Sequence, residues 1–386
     1  MNQNLTNNLT TANFKNVVSG ITEKIKNNKT KYVMFIIFGM CVIIITMLIL
    51  WLHNKSQLNK TNCNNMDKLY KDFGLVHTIN TSNDDYKYNL RDYYIMTAYN
   101  ACSGGKFKND VVNVCALKDI IKQGARCLDF EIYSVNDEPV IATSSVDDYT
   151  VKETYNSVPF GSMIDVIKDY AFAGGTCPNP GDPLIIHMRI MSSNKKIYSK
   201  MANTIETTLS DFTLGPKYSY ENQGKNLGQT PIKELMGKVI FIADKSNPLF
   251  EETDLDEYIN LASNSMFMRS LRYTNGLVYS SDQTELTEFN KKCMSIILPD
   301  LSSSDDNYAA QLAWACGCQM AAMCYQNFDV NLEGYMAYFA AKGSAFVLKP
   351  EALRYIPTTV SDPTPQNPDY SYANRTSSSD YYSITV

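Results

Sequence analysis

Hydrophobic and polar positions divide the chain into five stretches. Residues 32–52, YVMFIIFGMCVIIITMLILWL, contain no charge. At 1.5 Å per residue a helix of that length spans about 31 Å, the thickness of a bilayer's hydrocarbon core. Tyr32 and Trp51 sit at its two ends, where interfacial aromatics belong. A cleaved signal peptide fits poorly, because the apolar run and its N-terminal flank are too long and no small-x-small site follows. The pattern predicts one transmembrane helix over 32–52, preceded by a tail over 1–31. Residues 53–85 are polar and Asn-rich and read as a stalk. Residues 356–386 are rich in Ser, Thr, Tyr and Pro without periodicity and read as a flexible tail.

Between stalk and tail, short apolar runs alternate with helical patterns. The runs predict strands at 93–98, 126–133, 139–142, 184–190, 238–243, 266–271, 294–298, 319–324 and 345–348. Helical spacing falls at 114–123, 161–170, 194–209, 283–291, 308–315 and 332–341. Strand–helix alternation over this length predicts an α/β domain with a largely parallel sheet, and the length suits a TIM (β/α)8 barrel. The Gly- and Asn-rich stretch 212–230 reads as a connection that divides or decorates it.

Charge sharpens this picture. Residues 1–60 hold seven lysines and one acid, so of a formal net charge of −5 the rest of the chain carries −11. An acidic globular part is a poor partner for nucleic acid or anionic headgroups. Lys15, Lys24, Lys26, Lys29 and Lys31 precede the apolar run; Lys55, Lys60 and Lys68 follow it. The bias predicts a single-pass membrane protein with its N-terminus in the cytoplasm and the barrel extracytoplasmic, or outside a viral particle. Sequons at Asn54, Asn59, Asn80 and Asn374 agree, and the nine cysteines after the span are free to form disulfides there. Cys316 and Cys318 fit no zinc spacing and read as core residues on one strand face.

The stretch RCLDFEIY, residues 126–133, places Asp129 and Glu131 on one face of a predicted strand. Two neighbouring carboxylates repel unless a positive charge lies between them. That charge is a metal ion, a ligand or another side chain.

Six motifs resemble phosphatidylinositol-specific phospholipase C, the barrel built from an X half and a Y half. YYIMTAYN is similar to the family's first strand, Y-F-I-x-S-S-H-N, and GARCLDFEIY to G-x-R-C-V-E-L-D-x-W. VPFGSMIDVIKDYAF resembles the helix I-P-F-x-x-V-x-x-A-I-K-x-Y-A-F, and PLIIHMRI resembles P-V-I-L-S-L-E-N. GCQMAAMCYQ and AFVLKPEALR are similar to Y-half motifs. The resemblance covers about residues 88–355. It implies a distorted TIM barrel, with an X half over 86–245, a Y half over 246–355 and a site at the C-terminal strand ends.

The activity it implies is phosphodiester cleavage by two histidines and Ca2+. The first histidine position falls on Tyr99 and the second on Thr143, or on Ser145 if the register slips by two. The implied calcium ligands fall on Asn100, Asp129, Glu131 and Arg189. An arginine offers no lone pair and repels a dication, so the expectation is that no cofactor binds and that Arg189 is the cation between the two acids. The headgroup positions fall on Ile242 and Asp244 in GKVIFIADK and on Ile296 and Leu298 in SIILP, which removes charge and aromatic contact. Of three histidines, His53 borders the span, His77 lies in the stalk and His187 lies in a strand, where it reads as a hydrogen-bonded barrel residue. Together these predict a membrane-anchored phospholipase C-like protein without catalysis, kept as a binding or structural module. The alternatives are an enzyme with altered chemistry, using His187 with Tyr99 or cleaving another phosphodiester without metal, and a protein whose function lies in its stalk, tail or surface, with the barrel as inert bulk. The expected partners are the membrane, through the helix, and an unidentified protein or lipid; nucleic acid is not among them.

Overall fold

The computed structural model describes residues 3–146, 151–357, 363, 364, 367, 370 and 372–386, with side chains from residue 15 onward apart from 25 and 27. The chain forms two units, residues 1–354 and 355–386.

The larger unit contains eleven described strands: β1 (Tyr93–Ala98), β2 (Cys127–Val135), β3 (Glu138–Ile141), β4 (Val158–Pro159), β5 (Leu184–Ile190), β6 (Val239–Asp244), β7 (Leu261–Ser263), β8 (Met268–Arg272), β9 (Met294–Leu298), β10 (Met320–Met323) and β11 (Phe346–Leu348). Eight follow each other around a barrel in the order β7-β6-β5-β2-β1-β10-β9-β8, every ladder parallel. Among the described residues no ladder joins β7 to β8, so the barrel is nearly closed. Helices such as Val114–Lys122, Phe160–Tyr170, Lys195–Leu209 and Val330–Lys342 cover it outside. Strands buried on both faces need apolar residues at nearly every position, and β1, β5, β9 and β10 are buried throughout.

Two predicted strands lie outside the barrel. The run 139–142 forms β3, which folds back antiparallel on β2 with Ile132 opposite Ile141. The run 345–348 forms β11, antiparallel to the start of β1. Conversely, the barrel strand β7 has no counterpart in the hydrophobic pattern. It is three residues long, and the Asn260 side chain before it accepts from the Phe241 amide (2.9 Å), so a polar residue takes part in the sheet edge.

The first helix, α1 (Gln3–Leu69), runs without interruption through the apolar stretch and most of the expected stalk. Residues 53–85 are therefore not a free polar linker. Cys63 is disulfide-bonded to Cys115, Met66 and Tyr70 are buried, and the Tyr70 hydroxyl donates to the Tyr325 carbonyl. Asn62 donates to Asp110 (2.8 Å) and Asn113 to Asn59 (2.7 Å). Residues 59, 62, 63, 66 and 70 recur every three or four positions and share one helix face. Composition hid this docking because half of that face is polar and bonds to polar loops. Beyond α1 the chain stays attached: the Gly74 amide donates to Lys122 (3.0 Å), His77 to Gly343 (2.9 Å) and Ile79 to Asp182 (2.8 Å).

At the N-terminal end of β2, Arg126 is fully buried. Its guanidinium donates to the carbonyls of Ala171 (3.1 Å) and Asn179, to the Asn179 side chain (3.1 Å) and to Cys177 Sγ (2.7 Å). The smaller unit contains a hairpin, β12 (Thr376–Ser379) with β13 (Tyr382–Thr385), exposed along its length. Much of the expected tail over 356–375 lies outside the described residues.

Candidate functional site

The register of β2 against β5 sets Asp129 opposite His187 and Glu131 opposite Arg189. All four side chains are buried, Arg189 being only 4% exposed. The Arg189 guanidinium lies between the two carboxylates. Nε donates to Asp129 Oδ1 (3.0 Å), Nη2 to Asp129 Oδ2 (2.7 Å) and Nη1 to Glu131 Oε1 (2.8 Å). Nη2 also donates to Asn100 Oδ1 (2.9 Å). Asn100 follows β1 with a φ of 44°, a left-handed conformation that asparagine tolerates better than most residues. This turn aims its amide and side chain at the acids.

The remaining acceptor sites are also filled. Asp129 Oδ1 takes His187 Nδ1 (2.7 Å), and Oδ2 takes the Asn100 backbone amide (3.3 Å). Glu131 Oε1 takes Asn100 Nδ2 (3.2 Å), while Oε2 takes the Tyr133 hydroxyl (2.9 Å) and the Ser144 amide (2.9 Å). Each carboxylate thus receives four donors, as many as an ionised carboxylate has lone-pair sites. His187 Nδ1 faces an acceptor-only group and so carries its proton there, and Nε2 meets the Ser263 hydroxyl (2.9 Å).

Charge follows from this geometry. Burial alone would raise the Asp129 carboxyl, but the Arg189 charge and the hydrogen bonds from His187 and Arg189 outweigh it and hold the group well below the usual range. Burial would likewise lower Arg189, and the charges of Asp129 and Glu131 keep it well above its ordinary value. Burial pushes the Tyr99 phenol up, against the opposing pull of Arg189 and Arg272. Tyr99 therefore keeps its proton at neutral pH. Its ring lies 4.9 Å from the Arg189 guanidinium, and its oxygen accepts from Arg272 (3.1 Å).

Calcium is the cofactor that the resemblance implies, and the residues present do not fit it. Ca2+ takes six to eight oxygen ligands. Here the oxygens of Asp129, Glu131 and Asn100 are committed to donors, and a fixed guanidinium stands among them.

The other expected positions separate. The Thr143 hydroxyl donates to the Phe107 carbonyl (2.9 Å), and Ser145 is bonded to Glu153; neither meets a histidine. Ile242 and Ile296 are buried in the wall. Asp244 and Leu298 reach a cavity of about 210 Å3 at the C-terminal strand ends, lined also by Arg189, Asn264, Ser270 and Arg272. Asp244 accepts there from Ser246 (2.9 Å) and Asn264 (2.8 Å). Arg272 was not anticipated. It is the last residue of β8 and donates to the Pro299 carbonyl (2.8 Å), one position beyond where the hydrophobic run ends. Tyr133 was also missed, although it continues the two-residue alternation of Asp129 and Glu131.

Comparison with known proteins places this arrangement. Residues 86–245 match the family model "Phosphatidylinositol-specific phospholipase C, X domain", and residues 249–352 match the corresponding Y domain. The chain carries the X and Y domains of phosphatidylinositol-specific phospholipase C. A bovine 1-phosphatidylinositol 4,5-bisphosphate phosphodiesterase beta-1 is 37% identical over 93 residues, 23% of this chain and 8% of that protein. The human beta-2 protein is 36% identical over 77 residues, 19% of this chain and 6% of that protein. The match thus spans a tenth or less of the length of these curated relatives. Among solved structures, PLC21 of S. officinalis superposes with a TM-score of 0.58 at 18% identity, over 70% of this chain and 38% of that one. This shows a shared barrel fold.

Proposed function

We propose that this phospholipase C-like protein is a membrane-anchored barrel that does not turn over phosphodiesters and serves as a binding or structural module. The observation that carries the reading is the arginine between Asp129 and Glu131. A side-chain cation occupies the space a dication would need, and it does so permanently, because a guanidinium flanked by two carboxylates does not lose its proton. Tyr99 and Thr143, at the two expected acid–base positions, support the same reading. One is a protonated phenol and the other a hydroxyl committed to a carbonyl, and neither exchanges protons readily near neutral pH. His187 does not supply the missing group. It is fully buried between Asp129 and Ser263 and does not line the mouth cavity.

The anchor reading is supported by one helix, within Lys15–Leu69, that is long and apolar enough to cross a bilayer by length and composition. The Cys63–Cys115 disulfide favours an oxidising compartment for the barrel, consistent with the lysine bias.

The test is release of inositol phosphate from phosphatidylinositol vesicles carrying the full chain, with and without Ca2+. The expected result is no release above a boiled control and no heat on calcium titration. Calcium-dependent turnover, or turnover abolished by His187→Ala, would overturn the reading.

A further inference from the structure

We infer that Asn80 carries an N-linked glycan, being the sequon after the apolar span whose folded geometry suits the modification. This rests on the reading of the barrel as extracytoplasmic and adds a covalent modification which that reading leaves open.

The chemistry sets the requirement. An amide nitrogen is a poor nucleophile, because its lone pair is shared with the carbonyl. The motif N-x-S/T therefore couples the asparagine to a hydroxyl residue two positions on. The donor is an oligosaccharide carried on a lipid pyrophosphate. The bond from its first sugar to the phosphate oxygen breaks, and the same sugar carbon bonds to the asparagine Nδ2. One amide proton passes to solvent, and the lipid pyrophosphate leaves with the bonding electrons. The product is bulky and hydrated, so the acceptor has to stand at the surface with its hydroxyl partner on the same side and uncommitted.

Four sequons follow the span, at Asn54, Asn59, Asn80 and Asn374, and three fail this requirement. Asn54 and Asn59 lie within α1. Side chains two residues apart on a helix point roughly 200° from each other, which puts asparagine and hydroxyl on opposite faces. Asn54 is also only two residues past Leu52, roughly 3 Å along the helix, inside a headgroup layer about 5–7 Å thick. Asn59 is on the docked face, where its Oδ1 accepts from Asn113 (2.7 Å) one turn before the Cys63–Cys115 disulfide. At Asn374 the partner hydroxyl of Thr376 is hydrogen-bonded to that of Thr385 across the hairpin (2.9 Å).

Asn80 differs on each count. Asn80, Thr81 and Ser82 are all exposed. They form a turn closed by the Asn83 amide donating to the Asn80 carbonyl (2.9 Å). The Asn80 Oδ1 accepts from the Ser82 amide (3.0 Å), so the carboxamide is drawn over its own hydroxyl residue and its carbonyl is polarised. Among the described residues no partner holds the Asn80 Nδ2 or the Ser82 hydroxyl. The turn is also anchored: Ile79 is buried and its amide donates to Asp182 (2.8 Å). Asp182 precedes β5, which places the turn at the N-terminal strand ends. A glycan there leaves the cavity beside Arg189 and Arg272, at the other end, uncovered.

The test translates the full chain into sealed microsomal vesicles from eukaryotic cells. Protection of the barrel from added protease reports which side of the membrane it occupies. An upward band shift reversed by endoglycosidase reports the glycan. The expected result is a protected barrel with one such shift, lost in Asn80→Gln and Ser82→Ala. The shift should be kept in Ser82→Thr, Asn54→Gln, Asn59→Gln and Asn374→Gln. A digested barrel, or a shift carried by the sequons at Asn4 and Asn8 before the span, would remove the orientation reading and this inference with it. A protected barrel without a shift, or with a shift that survives Asn80→Gln, would overturn the inference alone.

Discussion

Two of the buried arginines, Arg126 and Arg189, lie at opposite ends of the sheet and are held in opposite ways. Arg126, at the N-terminal end of β2, is surrounded by carbonyls, an amide and a thiol. Burial outweighs the pull of Cys177 and Asp182 and lowers it from its ordinary value. Arg189, near the C-terminal end of β5, is locked between two ionised acids and raised. The first organises loops and closes the bottom of the barrel. The second neutralises charge at the end where barrels of this kind do chemistry. A buried cation is tolerated in either setting, but only the second makes it indispensable to the groups around it.

The largest effect expected from this contrast is the loss of Arg189. Arg189→Leu leaves two buried carboxylates without their cation and should cost about 3–5 kcal/mol, read as a fall in denaturant midpoint. Arg126→Met removes a cation that burial already disfavours. It leaves carbonyls unpaired and should cost about 2–3 kcal/mol. If the two losses were equal, the distinction drawn here would fail.

The acids near the two arginines differ in the pH at which they matter. The folded-state Asp129 carboxyl is depressed, so its contribution is present above the unfolded carboxylate range, near pH 4, and is lost as pH falls below it. Asp182, near Arg126, is pushed up by burial to about 6 despite that arginine. Its folded form binds a proton more tightly than the unfolded chain, so stability falls as pH rises from about 4 to about 6. Asp182→Asn should flatten that part of the stability profile, a change on the order of 2 kcal/mol between the two ends. The smallest effect is expected from Tyr133→Phe. It removes one of four donors to Glu131 and should cost about 1–2 kcal/mol, with the ion pair to Arg189 intact.

How much of this was legible in the sequence depended on whether a residue announced itself locally. The cation between Asp129 and Glu131 was readable because the acids alternate within one strand and the arginine occupies a position of a recognisable motif. Seven of the eight barrel strands were readable from their apolar runs. β7 was not, since three residues leave no periodicity to detect. Nor could periodicity tell that 139–142 and 345–348 fold back antiparallel, because a buried hairpin strand and a barrel strand have the same composition. The donors that fill the Glu131 carboxylate come from Tyr133 and from a backbone amide at Ser144, and a backbone amide leaves no trace in side-chain identity. The docking of α1 was hidden by the polar side chains through which it docks.

The missing ladder between β7 and β8 has a mechanical consequence. A wall laddered all the way round changes its girth only by breaking many bonds, whereas a rolled sheet whose margins share no ladder has fewer to break there. Ser270 and Arg272 of β8, with Asn264 just after β7, stand at those margins, while Asp129, Glu131 and Arg189 stand in continuous ladders across from them. At that seam the Ser270 amide donates to the Asn264 side chain (3.2 Å), so beside the cavity a side-chain bond stands where a ladder would.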